Sequence, residues 1–377
     1  MEQQLAEDAK LILKDNVLAV VSQNGLATVS SAIFNGGCKK VKAVLNVGVP
    51  TGYSDRSLHL DPMELITISA ANLGITQNYL AMVTAANVHN YSLQTKKTDA
   101  FTVSVAATAG CSHGESSGEE MDVQEITGTI NIIVLIDGNP TESCMVAALI
   151  TATEAKSAAL RDFDVRSRYT GDSATGSITD SVTVASTGKG KTMTLAGPAS
   201  KLGKIVGHCA RRAVTEALLK QEPIWGMRTI ADRLKERHLP LEKLAAEVSK
   251  IEGLAVNADG LAEILKSKPA AGVLLLAAAK MDDDYKKNLH PTDLPDWETA
   301  SRNLTNMDYS KLPNYNTVDL PPFIKVALIK IVKSAHTTTK KTDIMKLAGV
   351  MKDEKDKLEE LKNQIAAERE ANYGENT

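Results

Sequence analysis

The strongest constraint on this fold is a change of hydrophobic period near residue 220. Before it, short β-branched runs recur between turns: "VLAVVS" from Val17, "GLATVSSAIFNGG" from Gly25, "KAVLNVGVP" from Lys42 and "NYLAMVTAA" from Asn78. "AFTVSVAATAG" from Ala100, "TGTINIIVLID" from Thr127 and "SITDSVTVAS" from Ser177 continue the series. Alternation of this kind predicts strands. Three helices are predicted among them. One covers residues 62–73. A second starts at "NPTESC", with Asn139 as N-cap, Pro140 at the first helical position and Glu142 closing a capping box. The third covers residues 201–220. Strands outnumber helices and most connections are too short to hold a crossover helix. The expectation is therefore an α+β domain with a largely antiparallel sheet and packed helices.

After "QEPIW" (Gln221 to Trp225) the period becomes helical, through Met227 to Lys250 and Leu261 to Met281. A Pro/Asp/Asn-rich stretch follows as loop or docked arm, and helical signal returns over residues 323–334. The tail carries heptad-like Ile344, Leu347, Met351, Leu358, Leu361 and Ile365, interrupted by Glu354. That is either a homodimer seam through the C-terminal helix or a docked surface helix. The division is thus residues 1–222, and a mainly α-helical C-terminal region, residues 223–377, with no role assigned.

Composition removes several function classes. Aromatic residues are only 4% and the formal net charge is −3. Neither stacking rings nor a basic surface is available for nucleic acid. Cys38, Cys111, Cys144 and Cys209 are scattered, without a CxxC pair, and read as reduced cysteines. No histidine spacing suggests a metal, since His59, His89, His113 and His208 are dispersed. The polar, acidic N-terminus does not read as a signal peptide, and the longest apolar run, Ala270 to Met281, is too short to span a bilayer. The expectation is a cytoplasmic protein without membrane or nucleic-acid partners.

Two motifs imitate catalytic sites. "ASTGKGKT" (Ala185 to Thr192) fits a loose phosphate loop, with "NIIVLID" ending in Asp137 as a magnesium strand. A phosphate loop needs a helix directly after its Lys-Thr pair. Here "TMTLAGP" follows, β-branched and stopped by Gly197-Pro198. The stretch reads instead as two strands joined by a Gly-Lys-Gly turn, a β-hairpin. "GESSG" (Gly114 to Gly118) fits a nucleophile elbow, but acidic "EEMDVQE" replaces the helix such an elbow requires. Ser116 reads as a loop residue.

What remains is a set of polar residues inside apolar runs: Asn46, Thr84, Asn131, Glu154, Lys156, Thr175, Thr179 and Asp180. A buried polar group without a partner costs roughly 1–3 kcal/mol, so these groups pair or face a site. Taken singly each has a structural explanation. As a group, three Thr/Gly/Asn-bearing strand ends are better explained by a common site.

The runs "SSAIFNGG", "VLNVGVP", "MVTAAN", "TAG", "GTINIIVLID", "ITATEAKSAAL" and "ATGSITDSVTVA", in this order over about residues 20–210, closely resemble the adenosylcobinamide amidohydrolases. The most specific pieces are Gly128-Thr129-Ile130-Asn131, Thr153-Glu154-Ala155-Lys156 and Thr175-Gly176 with Thr179-Asp180. The resemblance implies a corrinoid small-molecule substrate, adenosylcobinamide or a complete cobamide. The amide joining aminopropanol to the corrin ring would be hydrolysed to adenosylcobyric acid for cobamide salvage. The cobalt belongs to that substrate, and no protein-bound cofactor is implied. Two departures stand out. Pro198 and Ala199 lie where a Thr/His-bearing segment is expected, and Ser177 replaces a more usual Thr.

Amide hydrolysis needs a nucleophile, donors for the oxyanion and a proton for the leaving amine. Glu154 is the candidate base for an attacking water, with Lys156 or backbone N–H groups near Gly176 for the oxyanion. Thr179 with Asp180 is the alternative nucleophile and base. Asn46, Thr84, Thr129, Asn131, Thr175 and Gly176 are the candidate substrate contacts. A non-catalytic corrinoid-binding module is the competing reading, and a phosphate-loop nucleotide hydrolase the more remote one.

Overall fold

The computed structural model describes residues 1–50, 62–111, 114–120, 128–289, 309–337 and 359. Two compact units divide the chain: residues 1–229 with 236–238, and residues 230–235 with 239–377.

The first unit is a nine-stranded, mixed, curled sheet with helices on its outside. Strands β1 (Glu2–Ala6) and β2 (Ala9–Lys14) form an antiparallel edge. The sequence reading left this N-terminal segment unassigned because the edge strand β1 is mostly solvent-facing and polar. A tight turn at Asp15 and Asn16, both at positive φ, passes into β3 (Val17–Ser30). β3 sets the curl. Its first half pairs with β2, and its last residues pair with β10 (Ser181–Ser186). Its other edge carries β4 (Gly37–Gly48) throughout, across an irregularity between Val21 and Leu26. Gly25 sits there at φ +79°, a left-handed conformation that suits glycine. β5 (Tyr79–Thr84) extends the sheet parallel to β4. On the other side run β10, β8 (Thr129–Asp137), β7 (Thr102–Gly110) and β6 (Ser92–Lys97). Most pairings are antiparallel. The β8–β10 pair is parallel, and the connection between them includes α2 (Glu142–Asp162).

Side-chain alternation gives the sheet two faces. Leu18, Val20, Val44, Leu80, Met82, Ala106, Ile133, Leu135 and Ala185 fill the inside of the curl. On the outside, α1 (Pro62–Asn72) covers Ala19, Ala43, Leu45 and Ala81. Helices α2 and α3 (Lys201–Gln221) cover Val105, Ala107, Ile132, Val134 and Val184. The α2–α3 contact is small-residue packing, through Ala148, Ala152, Ala159, Ala210 and Ala213.

Two sequence expectations need correction. The N-cap of α2 is Thr141, whose hydroxyl accepts the Cys144 N–H at 3.3 Å. Asn139–Pro140 instead form the short strand β9, parallel to β11 (Thr192–Met193). The hairpin over residues 182–195 is likewise absent. β10 is an interior strand whose edges are taken by β3 and β8, which leaves β11 no place beside it. The Gly188-Lys189-Gly190 tip is a turn, with both glycines at positive φ and Lys189 bound to Glu7 at 2.9 Å. No helix follows Lys191-Thr192 until residue 201. Thr187 donates to Asp137 at 2.8 Å, so the two halves of the imitation phosphate site close on each other.

The second unit is helical: α4 (Ile230–Lys235), α5 (Leu241–Val248), α6 (Ala258–Ser267), α7 (Pro269–Lys286) and α8, residues 322–337. The first long helical run is broken where His238 takes positive φ before Pro240, and the second at Pro269. Leu234, Leu244, Leu261, Leu275, Ile324, Leu328 and Val332 form its core. Most of the Pro/Asp/Asn-rich stretch and the heptad positions of the tail lie outside the described residues. Among the described residues no helix is long and apolar enough to cross a membrane.

Candidate active site

The ends of β4, β5 and β7 meet the starts of β8 and β10 at one end of the curl. Asn46 on β4 donates to the Thr108 hydroxyl on β7 at 2.8 Å. Asn131 on β8 donates to Asn46 Oδ1 at 2.8 Å and to the Val83 carbonyl at 2.9 Å. Asn46, Thr108 and Asn131 are each 1% exposed. Both hydrogens of the Asn131 amide are therefore used, while its Oδ1 has no hydrogen-bond partner among the described residues. Thr84 is buried nearby in sequence pattern but stands apart. Its hydroxyl accepts the Ala86 N–H at 3.1 Å and joins neither asparagine.

On the helix-covered side of the same strand ends, Asp180 is the hub. Its Oδ1 accepts the Ile130 N–H at 3.0 Å and the Ser177 hydroxyl. Its Oδ2 accepts the Ser177 N–H at 3.1 Å and an ion pair from Lys156 on α2. The Lys156 and Asp180 side chains are 9% and 11% exposed. Residues 177–180 form a tight turn closed in the manner of a capping box, S-x-x-D, with the carboxylate reaching back to Ser177. Gly176 is required for close approach. A Cβ there would lie 2.8 Å from Lys156 Nζ and overlap Asp180 Oδ2.

Neighbouring hydroxyls complete the region. Thr129 and Thr179 share a hydrogen bond at 2.7 Å, and both face the Gly128 carbonyl. Thr175 accepts from Ser117 N–H at 2.9 Å, and its carbonyl accepts from Ser157 at 2.8 Å. Glu115 pairs with this segment through backbone bonds: the Thr175 and Gly176 N–H groups both go to its carbonyl, at 2.9 and 3.2 Å. Every backbone N–H from Thr175 to Ser177 is thus occupied, and none is left for an oxyanion. Lys156 is different. Asp180 is its hydrogen-bond partner among the described residues, and two of its three N–H groups remain.

The structure brings together Lys156, Thr129, Thr175, Gly176, Thr179 and Asp180, and sets Asn46 with Asn131 on the inner face of the same strand ends. It does not bring Glu154 to them. Two residues along a helix is a rotation of about 200°, so Lys156 is buried while Glu154 is exposed. Glu154 lines an open depression of about 740 Å³ between α2 and α3, with Lys204, His208 and Arg211. Nor does Asp180 address Thr179: the hydroxyl on its carboxylate belongs to Ser177. Sequence reasoning treated Ser177 only as a departure from the family pattern and passed over it as a site candidate, although the S-x-x-D spacing signals the contact. It also passed over Cys111, which is buried near the cluster. Burial pushes its thiol well above the usual range, helped by the Asp180 and Glu222 carboxylates and opposed by Lys156. A thiol so held is a poor nucleophile. Ser116 lies in a loop tied to Gly176 through Glu115. No group of three or more metal-ligating side chains occurs among the described residues.

Buried amides inside the end of the curled sheet and a Lys–Asp–hydroxyl cluster beside them make a candidate small-molecule site. The family described as adenosylcobinamide amidohydrolase matches residues 2–225. The chain belongs to that family. A Methanosarcina mazei protein named adenosylcobinamide amidohydrolase is 30% identical over 219 residues, 57% of this chain and 92% of that one. An uncharacterized Methanocaldococcus jannaschii protein, MJ1613, is 31% identical over 209 residues, 50% of this chain and 81% of that one. The crystal structure of PH0078 from Pyrococcus horikoshii aligns with TM-score 0.31 at 11% identity, over 56% of this chain and 83% of that one.

Proposed function

We propose that the protein hydrolyses the amide linking aminopropanol to the corrin ring of adenosylcobinamide, or of a complete cobamide. The products are adenosylcobyric acid, available for salvage, and 1-amino-2-propanol. The observation that carries this reading is the Lys156 ammonium, held at the strand ends by Asp180 with two N–H groups unspent among the described residues. An ammonium in that place stabilises the oxyanion that forms when an amide carbonyl is attacked, and it does so most strongly where water is excluded. The buried Asn131 Oδ1, without a partner among the described residues, is an acceptor that a peripheral amide N–H of the substrate would satisfy. The cobalt is part of the substrate, and the chemistry above uses no group beyond the chain's own residues.

The test is direct. Purified protein given adenosylcobinamide, without ATP or added metal, is expected to release free aminopropanol. Intact substrate after prolonged incubation with folded protein sinks the reading. A corrinoid-binding module without turnover is the second reading, favoured by the saturation of Asp180, whose four acceptor positions are all filled. It predicts a corrinoid-dependent rise in melting temperature with no amine released.

A further inference from the structure

We infer that Ser177 is the nucleophile of this reaction; the inference rests on the amidohydrolase reading above. Five hydroxyls stand around Lys156 and Asp180 among the described residues, and their hydrogen bonds separate them. Thr129 and Thr179 bond to each other and to the Gly128 carbonyl, none of which can take a proton. Thr175 bonds to Ser117, and Ser157 donates to the Thr175 and Thr153 carbonyls. Of these five, Ser177 alone donates to a carboxylate among the described residues. Its proton is therefore directed at Asp180, which leaves the oxygen lone pairs free to meet an electrophile. Ser177 is half-buried rather than sealed in.

The surroundings fix this geometry. The Ile130 N–H at 3.0 Å and the Ser177 N–H at 3.1 Å hold the carboxylate from the strand and the turn. Gly176 lets the chain pass against Lys156 Nζ, where any side chain would intrude. The oxyanion donor and the nucleophile are thus placed on the same carboxylate. In the first step a bond forms between Ser177 Oγ and the amide carbonyl carbon. The Oγ proton moves by way of Asp180 to the amide nitrogen, the C–N bond breaks, and 1-amino-2-propanol leaves. The corrinoid acyl group remains as an ester of Ser177. Water then attacks that ester and returns a proton to Oγ. The sum is amide plus water giving acid plus amine.

A closing turn could use the same Ser177–Asp180 contacts for folding alone, so the experiment needs a readout that structure does not move. Full-length wild type, Ser177→Ala and Ser177→Thr are assayed with adenosylcobinamide in the presence of hydroxylamine, and products are resolved by mass spectrometry. Melting temperature and corrinoid binding are measured on each. An acyl-enzyme diverts part of the product to the corrinoid hydroxamate. The expected result is hydroxamate from wild type and Ser177→Thr, and a loss of turnover on the order of 10³-fold or more in Ser177→Ala with corrinoid binding kept. Retained turnover in Ser177→Ala overturns the inference, as does wild-type turnover that yields acid but no hydroxamate. Absence of any amine release by wild type is a separate outcome. It removes the amidohydrolase reading and the inference with it.

Discussion

The hydrogen bonds at Asp180 make an asymmetric prediction. Asp180→Ala and Lys156→Met each break the same ion pair, yet they leave very different remnants. Without the carboxylate, the Lys156 ammonium is stranded at 9% exposure, and the Ile130 N–H, Ser177 N–H and Ser177 hydroxyl lose their acceptor together. Removing one partner of a buried pair costs about 3–5 kcal/mol. Without the lysine, Asp180 keeps three donors, and methionine fills most of the vacated volume. The loss is then close to one charge-assisted hydrogen bond, about 1–3 kcal/mol. The double variant should be less destabilised than the two losses added, because no ammonium remains to be stranded. Hydrogen exchange of the β8 and β10 amides reports on this unit alone, so unfolding of the second unit does not enter. At about 1.4 kcal/mol per tenfold, protection falls by about 10²- to 10³-fold or more in Asp180→Ala and by about 10- to 10²-fold in Lys156→Met. A Lys156→Met loss equal to or above that of Asp180→Ala refutes the reasoning, as does strict additivity.

Further expectations come from other parts of the chain. Arg228 donates to the Phe163 and Asp164 carbonyls at the end of α2 and pairs with Glu236 at 2.5 Å, with its side chain 2% exposed. Arg228→Ala should therefore cost on the order of 3–5 kcal/mol in urea unfolding. A chain ending at residue 222 should be weaker still, since it also loses the Arg237–Asp164 pair; equal stability of the two would contradict this account. In the second unit, Asp282 accepts the Phe323 and Ile324 N–H groups at 2.9 Å, and burial pushes its carboxyl up to about 6 against those donors. A folded value above the usual 3.8 means the folded state binds the proton more tightly. The Asp282 contribution to the stability of this unit should be greatest below about pH 4 and fall by about 3 kcal/mol as pH rises through 6. Asp282→Asn should flatten that profile, and a melting series from pH 4 to 7 checks it. Lys191 is exposed beyond a turn that holds no helix N-terminus. Lys191→Ala should leave amide hydrolysis unchanged, and a loss of more than tenfold would argue against this placement. Glu154→Gln should lower turnover far less than Asp180→Asn, since Glu154 stands on the opposite side of α2. Equal losses in steady-state assays would return Glu154 to the chemistry.

Much of the fold was legible because short, nearly continuous apolar runs bounded by turns report directly on strands with two buried faces. The runs at β5, β7, β8, β10 and the second half of β4 are buried on both faces, and they stand out in the sequence. β1 and β6 were missed because polar residues dominate them. Pairing was less legible than strand existence. The hairpin expected at residues 182–195 follows good local rules, and it fails because β10 already has two neighbours.

The candidate site divides in the same way. The sequence by itself determined which residue types stand at the strand ends. Asn46, Asn131, Thr129, Gly176 and Asp180 are conspicuous there, because polar and glycine residues interrupt apolar runs only for a reason. Helix geometry also turns Glu154 and Lys156 apart, against the joint roles expected of them from sequence. Only the tertiary structure decided the partners. Lys156 and Asp180 are 24 residues apart, and Asn46 and Asn131 are 85 apart. The local S-x-x-D spacing favours Ser177 over Thr179 as the hydroxyl on Asp180, but no local pattern encodes the remaining partners of that carboxylate. They depend on where β8 places the Ile130 N–H and where α2 places an ammonium, and both positions exist only once the sheet has curled.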